Sequence, residues 1–334
     1  MSGPEKQKWP PPLRDEGIVE FAADDGWVSP SFKYKDYRSL LRLIHLLQKK
    51  MNEREASKIY FRIAEQDGSP QPWKPLSCLF ETLDGRGVTE YLLHRCFTVF
   101  LQPIVQATGQ VMGYECLLRP LPEQSPFRPA ELFEKARKIG IHSFLDREAR
   151  HAAIRICSCH LPKGIKRFIN FLPSSLHDTD DSLKRTFDLI EECGTDPEDL
   201  VFEIAETEPL DDPKLEEIIR KYRQRGIRIA ADDAGSGYAT AEMLEKLRPD
   251  YVKVDRKRIS HCESDEEKQR YLDDLMERVS RFHGVVVAEG VEREEEFRYL
   301  RQIGVPLFQG YLFGRPMPVP MQSPSMLSGT PAPK

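Results

Sequence analysis

The most constraining feature of this chain is an alternation of two textures. From residue 97 to residue 314, short apolar runs take turns with amphipathic helical patterns. The runs are FTVFLQPIVQ (97–106), VMGYECLLRP (111–120), RFINFLP (167–173), LVFEIAE (200–206), IRIAADD (227–233), YVKVD (251–255), VVVAEGV (285–291) and LFQGYLFG (307–314). Between them lie AELFEKARKIGIHSFLDREARHAAIRIC, PKLEEIIRKYRQRG, AEMLEKLRP, DEEKQRYLDDLMERVSRFHG and EEEFRYLRQIG. Their apolar residues recur three and four positions apart, the helical spacing. Strand and helix in strict turn predict an α/β fold, a (β/α)8 TIM-like barrel, with a doubly wound open sheet as the alternative. Thr108-Gly109 is a turn signal between the first two runs. They are expected to pair as a hairpin, which makes one barrel strand antiparallel.

The apolar runs share a second property. Nearly every one ends in a polar residue that its apolar body does not explain: Glu115, Asn170, Glu203, Asp232 with Asp233, Lys253 with Asp255, Glu289 and Gln309. In barrels of this type the C-terminal strand ends converge on one mouth, where catalysis resides. Several carboxylates gathered there cannot all stay ionised without a counter-charge, and a bound cation supplies one. The donors are oxygens, with no cysteine or histidine among them, which favours Mg2+ or Mn2+ over zinc. Two adjacent aspartates suit two ions, an arrangement fitted to cleaving a phosphodiester. Arg119 suits a bidentate grip on a phosphate. Taken singly, each residue has a plainer role. Glu203 reads as a solvated strand position, Asp255 as half of a barrel-end ion pair, and Glu292 as a cap for the following helix.

Outside the repeat the sequence says less. Residues 1–30 are polar, with Pro10, Pro11 and Pro12, and are expected to be disordered, as is the tail 319–334. In residues 36–66, Tyr37, Leu40, Leu41, Ile44, Leu47 and Met51 form a helical stripe. Residues 31–94 are therefore expected to be a small, mainly helical region, a candidate site for a regulatory partner. A net charge of -5 argues against DNA as a partner. No run is apolar and long enough for a membrane helix or a signal peptide. Seven scattered cysteines without zinc spacing suit a reduced, cytoplasmic setting.

Eight pieces in order, LQPIV, GYECLLRP, FINFLP, LVFEIAETE, IAADDAGSGYA, DYVKVDR, VVAEGVE and FQGYLFGRPMP, give residues 95–318 a family likeness. The segment resembles the EAL-domain phosphodiesterases, which hydrolyse the bacterial messenger cyclic di-GMP to linear pGpG. The resemblance implies a hydrolase that binds cyclic di-GMP, uses Mg2+ or Mn2+ as a pair of ions, and forms a homodimer through the barrel. It implies Glu115, Asn170, Glu203 and Asp232 as ligands of one metal, with Asp233 on a second. Lys253 matches the lysine that holds the catalytic water or a metal. Glu289 matches a glutamate assigned either as general base or as second-metal ligand. Gln309 supports the centre, Glu206 steadies the loop after the fifth strand, and Arg119 and Gln102 are candidate substrate contacts.

Three positions depart from the family pattern. Cys116 stands where Ala is usual, Ala205 where Thr is common, and Ala234 where Phe follows the aspartate pair. Cysteine is small and readily buried, so the first departure is expected to be harmless. Ala234 begins the loop that the family links to dimerisation and activity. It motivates the alternative of a catalytically weak or inactive receptor or docking module. The residues before the barrel hold no Gly-Gly-acidic signature, so no cyclic di-GMP synthesis is expected.

Overall fold

The structure is a computed structural model of the 334-residue chain. It describes residues 17–23, 32–34, 37–64, 73–76, 97–121, 127–138, 142–172, 179–204, 213–234 and 241–318. The chain divides into two compact units, one of residues 1–97, 119–149 and 175–178, the other of residues 98–118, 150–174 and 179–334.

The first unit holds β1 (Gly17–Ala23), β2 (Phe32–Tyr34), α1 (Tyr37–Lys50), α2 (Glu53–Ala56), β3 (Ile59–Ala64) and β4 (Lys74–Pro75). The four strands form an antiparallel sheet in the order β2-β1-β3-β4. This extends one expectation and corrects another. Strands β2, β3 and β4 accompany the helices expected of residues 31–94, and residues 17–23 within the stretch expected to be disordered form a strand. The stripe from Tyr37 is helical only to Lys50. Beyond it, IYFRIA is β-branched and aromatic, a composition that favours a pleated surface. It finds its backbone partners in β1, where Glu20 stands directly opposite Arg62 and the two form an ion pair at 2.5 Å. Arg62 also lies against the Trp73 ring. Residues 1–16, 77–96 and 319–334 lie outside the described residues.

The barrel strands are β5 (Phe97–Gln106), β6 (Val111–Pro120), β7 (Lys166–Phe171), β8 (Leu200–Ile204), β9 (Arg228–Ala234), β10 (Tyr251–Val254), β11 (Val285–Ala288) and β12 (Leu307–Gln309). They close in the order β10-β11-β12-β5-β6-β7-β8-β9. β5 runs antiparallel to β12, as the hairpin signal predicts, and the other described ladders are parallel. The helices are α3 (Pro129–Lys138), α4 (His142–His160), α5 (Thr179–Glu192), α6 (Pro213–Gln224), α7 (Ala241–Leu247), α8 (Arg256–Ile259), α9 (Glu266–Ser280) and α10 (Glu294–Gln302). The long pattern from Ala130 is thus two helices, and α5 was missed in the sequence. The last apolar run leaves its ladder at Gln309, and Gly310 comes so close to the Val291 backbone that any side chain would collide with it.

Inside the second unit, Ile104, Phe168, Val201, Ala230, Val287 and Leu307 form one buried cluster. Strand side chains alternate between faces with a period of two. Two residues beyond Phe168, Val201, Ala230, Val287 and Leu307 come Asn170, Glu203, Asp232, Glu289 and Gln309. The apolar layer therefore dictates which polar side chains turn inward at the mouth. The opposite faces of the same strands meet the helices: Leu272, Leu275 and Val279 of α9 pack with Val252, Val254 and Val286 in the outer core.

Candidate active site

Lys253 lies at the centre of the mouth. Its Nζ is 2.6 Å from Glu203 Oε1, 2.7 Å from Glu289 Oε1, 3.1 Å from Asp232 Oδ1 and 3.6 Å from Glu115 Oε1. Lys253 is 1% exposed and Glu203 is fully buried. An ammonium and a carboxylate out of water are costly unless paired, and here one cation serves four anions drawn from β6, β8, β9 and the end of β11. Gln309 Nε2 donates to Glu115 Oε2 at 2.6 Å and to Gln102 Oε1 at 3.2 Å, and Gln102 Nε2 donates to the Gly314 carbonyl at 3.2 Å. Each inward side chain of β5, β6 and β12 at the mouth is thus held by the next.

The aspartate pair has a specific backbone cause. Ala231 pairs with Val252 and Ala234 with Val254, so Asp232 and Asp233 together stand opposite Lys253 alone. This is a β-bulge, a device that re-aims side chains beside active sites. In an unbroken strand, neighbouring residues would face opposite sides.

Burial pushes the Glu203 carboxyl well above the usual value, against the opposing pull of Lys253. The same balance raises Glu289, with Asp232 and Glu115 adding to the effect of burial. Burial alone would lower Lys253. Asp232, Glu115, Glu203 and Glu289 together outweigh it and hold the ammonium well above its ordinary value. The site is short of positive charge, and its protons and its lysine partly compensate.

Among the described residues no three side chains already form a metal cage. The Lys253 ammonium holds the point on which the carboxylates converge. The donor set nonetheless fits a hard dication. It is entirely oxygen, four carboxylates face one ammonium, and Glu203 Oε2 is buried without a hydrogen-bond partner among the described residues. A cavity of about 310 Å3 opens over these residues, lined also by Asp255, Arg256, Glu292 and Tyr311.

The remaining expected residues divide as follows. Asn170 stands opposite Glu203 in the β7–β8 register and is exposed, outside the Lys253 network. Asp233 lies in β9 at the bulge. Arg119 is the penultimate residue of β6 and half-buried. Glu206, Ala205 and the loop after Ala234 fall outside the described residues. Asp255 caps α8, its carboxylate accepting from the Lys257 amide at 2.7 Å. Glu292 does not cap α10. It pairs with Arg256 at 2.7 Å, and Glu296 supplies the capping carboxylate. Arg256 was missed in the sequence; its place just after YVKVD, at a barrel strand end, was the available signal.

A larger cleft of about 680 Å3 opens near the N-terminal ends of β7 to β9. Its charges are largely matched within the fold, Lys163 with Asp196 at 2.9 Å and Arg167 with Asp199 at 3.1 Å. The unbalanced charge lies at the other end of the barrel.

Fold and site define an α/β barrel whose C-terminal mouth presents an all-oxygen acidic centre around one buried lysine. The chain belongs to the EAL domain family, whose model matches residues 88–316. It is 31% identical over 233 residues to the probable cyclic di-GMP phosphodiesterase PdeG of Escherichia coli, covering 65% of this chain and 44% of that one. Among solved structures, the Klebsiella pneumoniae BlrP1 calcium/cy-diGMP complex aligns with a TM-score of 0.61 and 30% identity, over 66% of this chain and 56% of that one. BlrP1 is also known as a manganese/cy-diGMP complex, matched at 29% identity, with the same TM-score and coverage. A standalone versatile EAL protein from Vibrio cholerae, in its c-di-GMP-bound form, aligns with a TM-score of 0.59 and 30% identity, over 66% of this chain and 92% of that one. The chain spans less than half the length of PdeG. No helix among the described residues is long and apolar enough to cross a membrane.

Proposed function

We propose that this protein hydrolyses cyclic di-GMP to linear pGpG with divalent cations, Mg2+ or Mn2+, and that two ions take part. The observation that carries the proposal is the mouth itself: four carboxylates around one buried lysine, in a chain of the EAL family. Its relatives' names and complexes supply the substrate and the class of cation. Glu115, Asn170, Glu203 and Asp232 would hold one ion, and Asp233 a second. Such ions neutralise phosphate charge and make water acidic enough to be a nucleophile near neutral pH.

The chain's own residues do the rest. Lys253 fixes Glu203 and Glu289 at contact distance and adds a positive charge that favours a phosphoryl oxygen. Glu289 lines the cavity and carries a raised pKa, which suits a group that receives a proton from water at its Oε atoms. Gln309 orients Glu115 by donating to Oε2, leaving Oε1 for the centre. Arg119 and Gln102 are assigned to the substrate, Arg119 to a phosphate by its two parallel donors. Glu206 is assigned to the loop after β9. A homodimer through the barrel, a regulatory partner at the N-terminal region and a cytoplasmic setting complete the proposal.

The test is turnover. Purified protein with Mg2+ or Mn2+ should convert cyclic di-GMP to pGpG, and Glu115→Ala should abolish the conversion. Tight nucleotide binding with no product under either cation would instead support the receptor reading that Ala234 motivates.

A further inference from the structure

The carboxylate of Glu296 lies behind the mouth, in the first turn of α10, and is 2% exposed. Its Oε2 accepts from the backbone amides of Glu292 and Arg293, both at 3.1 Å. Its Oε1 accepts from the His261 amide at 3.0 Å. The bond from Arg293 belongs to the capping box of α10. The third reaches a different segment, 35 residues away in sequence.

The two segments matter because of where they start. One leaves β11 through Glu289. The other leaves β10 through Lys253, passes along the four-residue helix α8 and turns at His261. The backbone there is left-handed, at φ 59°, a conformation uncommon outside glycine. Further links run between the same segments. The Glu289 amide donates to the Val254 carbonyl at 3.1 Å. Arg256 pairs with Glu292, and its stem fills the space beside Gly290. Arg293 Nη1 meets His261 Nδ1 at 2.5 Å and Glu263 at 2.8 Å.

We propose that Glu296 is a positioning residue. One buried carboxylate locks the exit of β10 to the exit of β11 and so holds Lys253 and Glu289 at their 2.7 Å separation. It touches neither substrate nor the reacting atoms. This proposal rests on the catalytic roles proposed above for Lys253 and Glu289. Backbone amides bond more strongly to a carboxylate than to a neutral acceptor, and three of them meet on this one. The lock is consequently rigid where a neutral cap would be pliable.

Glu296→Gln separates the lock from the cap. The amide oxygen can still accept from Glu292 and Arg293, while the NH2 group would face the His261 N–H, donor against donor. In the full-length protein, Glu296→Gln should lower kcat roughly 10-fold or more with KM changed less than about 3-fold, because misplacement of reacting groups acts on the chemical step. Hydrogen exchange at the His261 amide should accelerate, while the thermal midpoint stays near that of wild type. Glu294→Gln, which alters only an exposed pair with Arg298 in the same turn, should change neither readout. Wild-type kcat in Glu296→Gln, or unchanged exchange at His261, overturns the lock. If the wild-type protein shows no turnover, the function proposed above fails, and the exchange measurement alone then decides whether Glu296 joins the two segments.

Discussion

Replacing Lys253 with methionine removes the cation at the centre of the mouth and leaves an unbranched apolar stem. The ammonium is buried within 3.6 Å of four carboxylate oxygens. At an effective dielectric of about 20, the contact with Glu203 alone amounts to about 6 kcal/mol before any relaxation. The net loss is smaller, because a carboxylate deprived of its cation takes up a proton instead. From the ordinary glutamate value of 4.5, that uptake costs about 3.4 kcal/mol at pH 7 and about 0.7 kcal/mol at pH 5. Because burial already holds Glu203 above 4.5 in the wild type, metal-free Lys253→Met is expected to lose at most about 3 kcal/mol of stability at pH 7 and under about 1 kcal/mol at pH 5. For a domain of this size, each kcal/mol moves the thermal midpoint about 2–4 °C, so the drop should reach at most about 6–12 °C at pH 7 and stay under about 4 °C at pH 5. Thermal unfolding followed by circular dichroism, in chelator at both pH values, measures this directly. An equal drop at the two pH values would refute the proton-uptake argument, and no drop at pH 7 would refute the central place of Lys253.

Two further predictions concern charge and thiols. In the wild-type protein, burial raises Glu203 and Glu289, so the folded state binds more protons than the unfolded one as pH climbs past 4.5. Lys253, also raised, keeps its contribution at every pH below 10.5. By linkage the metal-free barrel should lose stability between pH 5 and 8, and Mg2+ or Mn2+ should flatten or reverse that slope; identical slopes with and without cation would contradict it. Cys159 is exposed, whereas Cys116, Cys157 and Cys262 are buried, and burial pushes the Cys262 thiol up to about 12. A thiol reagent at pH 8 should modify Cys159 at least roughly 100-fold faster than Cys262, because only the thiolate reacts; equal rates in peptide-mapped mass spectra would show that the structure misplaces Cys262.

How much of this was legible beforehand depends on the range of the interaction responsible. Alternation along a strand is local, so the runs ending in Glu115, Glu203, Asp232, Glu289 and Gln309 could be marked as inward-facing from their apolar neighbours alone. The barrel followed from the same alternation, because a strand buried on both faces must be covered by the helix that succeeds it. The Thr108-Gly109 hairpin was equally local, a turn that needs only its own residues.

What required the tertiary structure was every choice between partners distant in the chain. IYFRIA became a strand because β1, some forty residues earlier, offers it a ladder and Glu20 an opposing charge for Arg62. Asp232 and Asp233 share one opposing residue because the β9–β10 register slips, and register is a property of two strands together. Glu296 reads in sequence as one of three glutamates opening a helix, yet it is the one whose carboxylate reaches His261. The sequence by itself determined that an acidic, oxygen-rich mouth would end a barrel, since period and polarity suffice for that. Only the folded chain decided that four of those carboxylates would close on a single lysine, because burial and distance set the strength of a charge interaction and neither is written in any one segment.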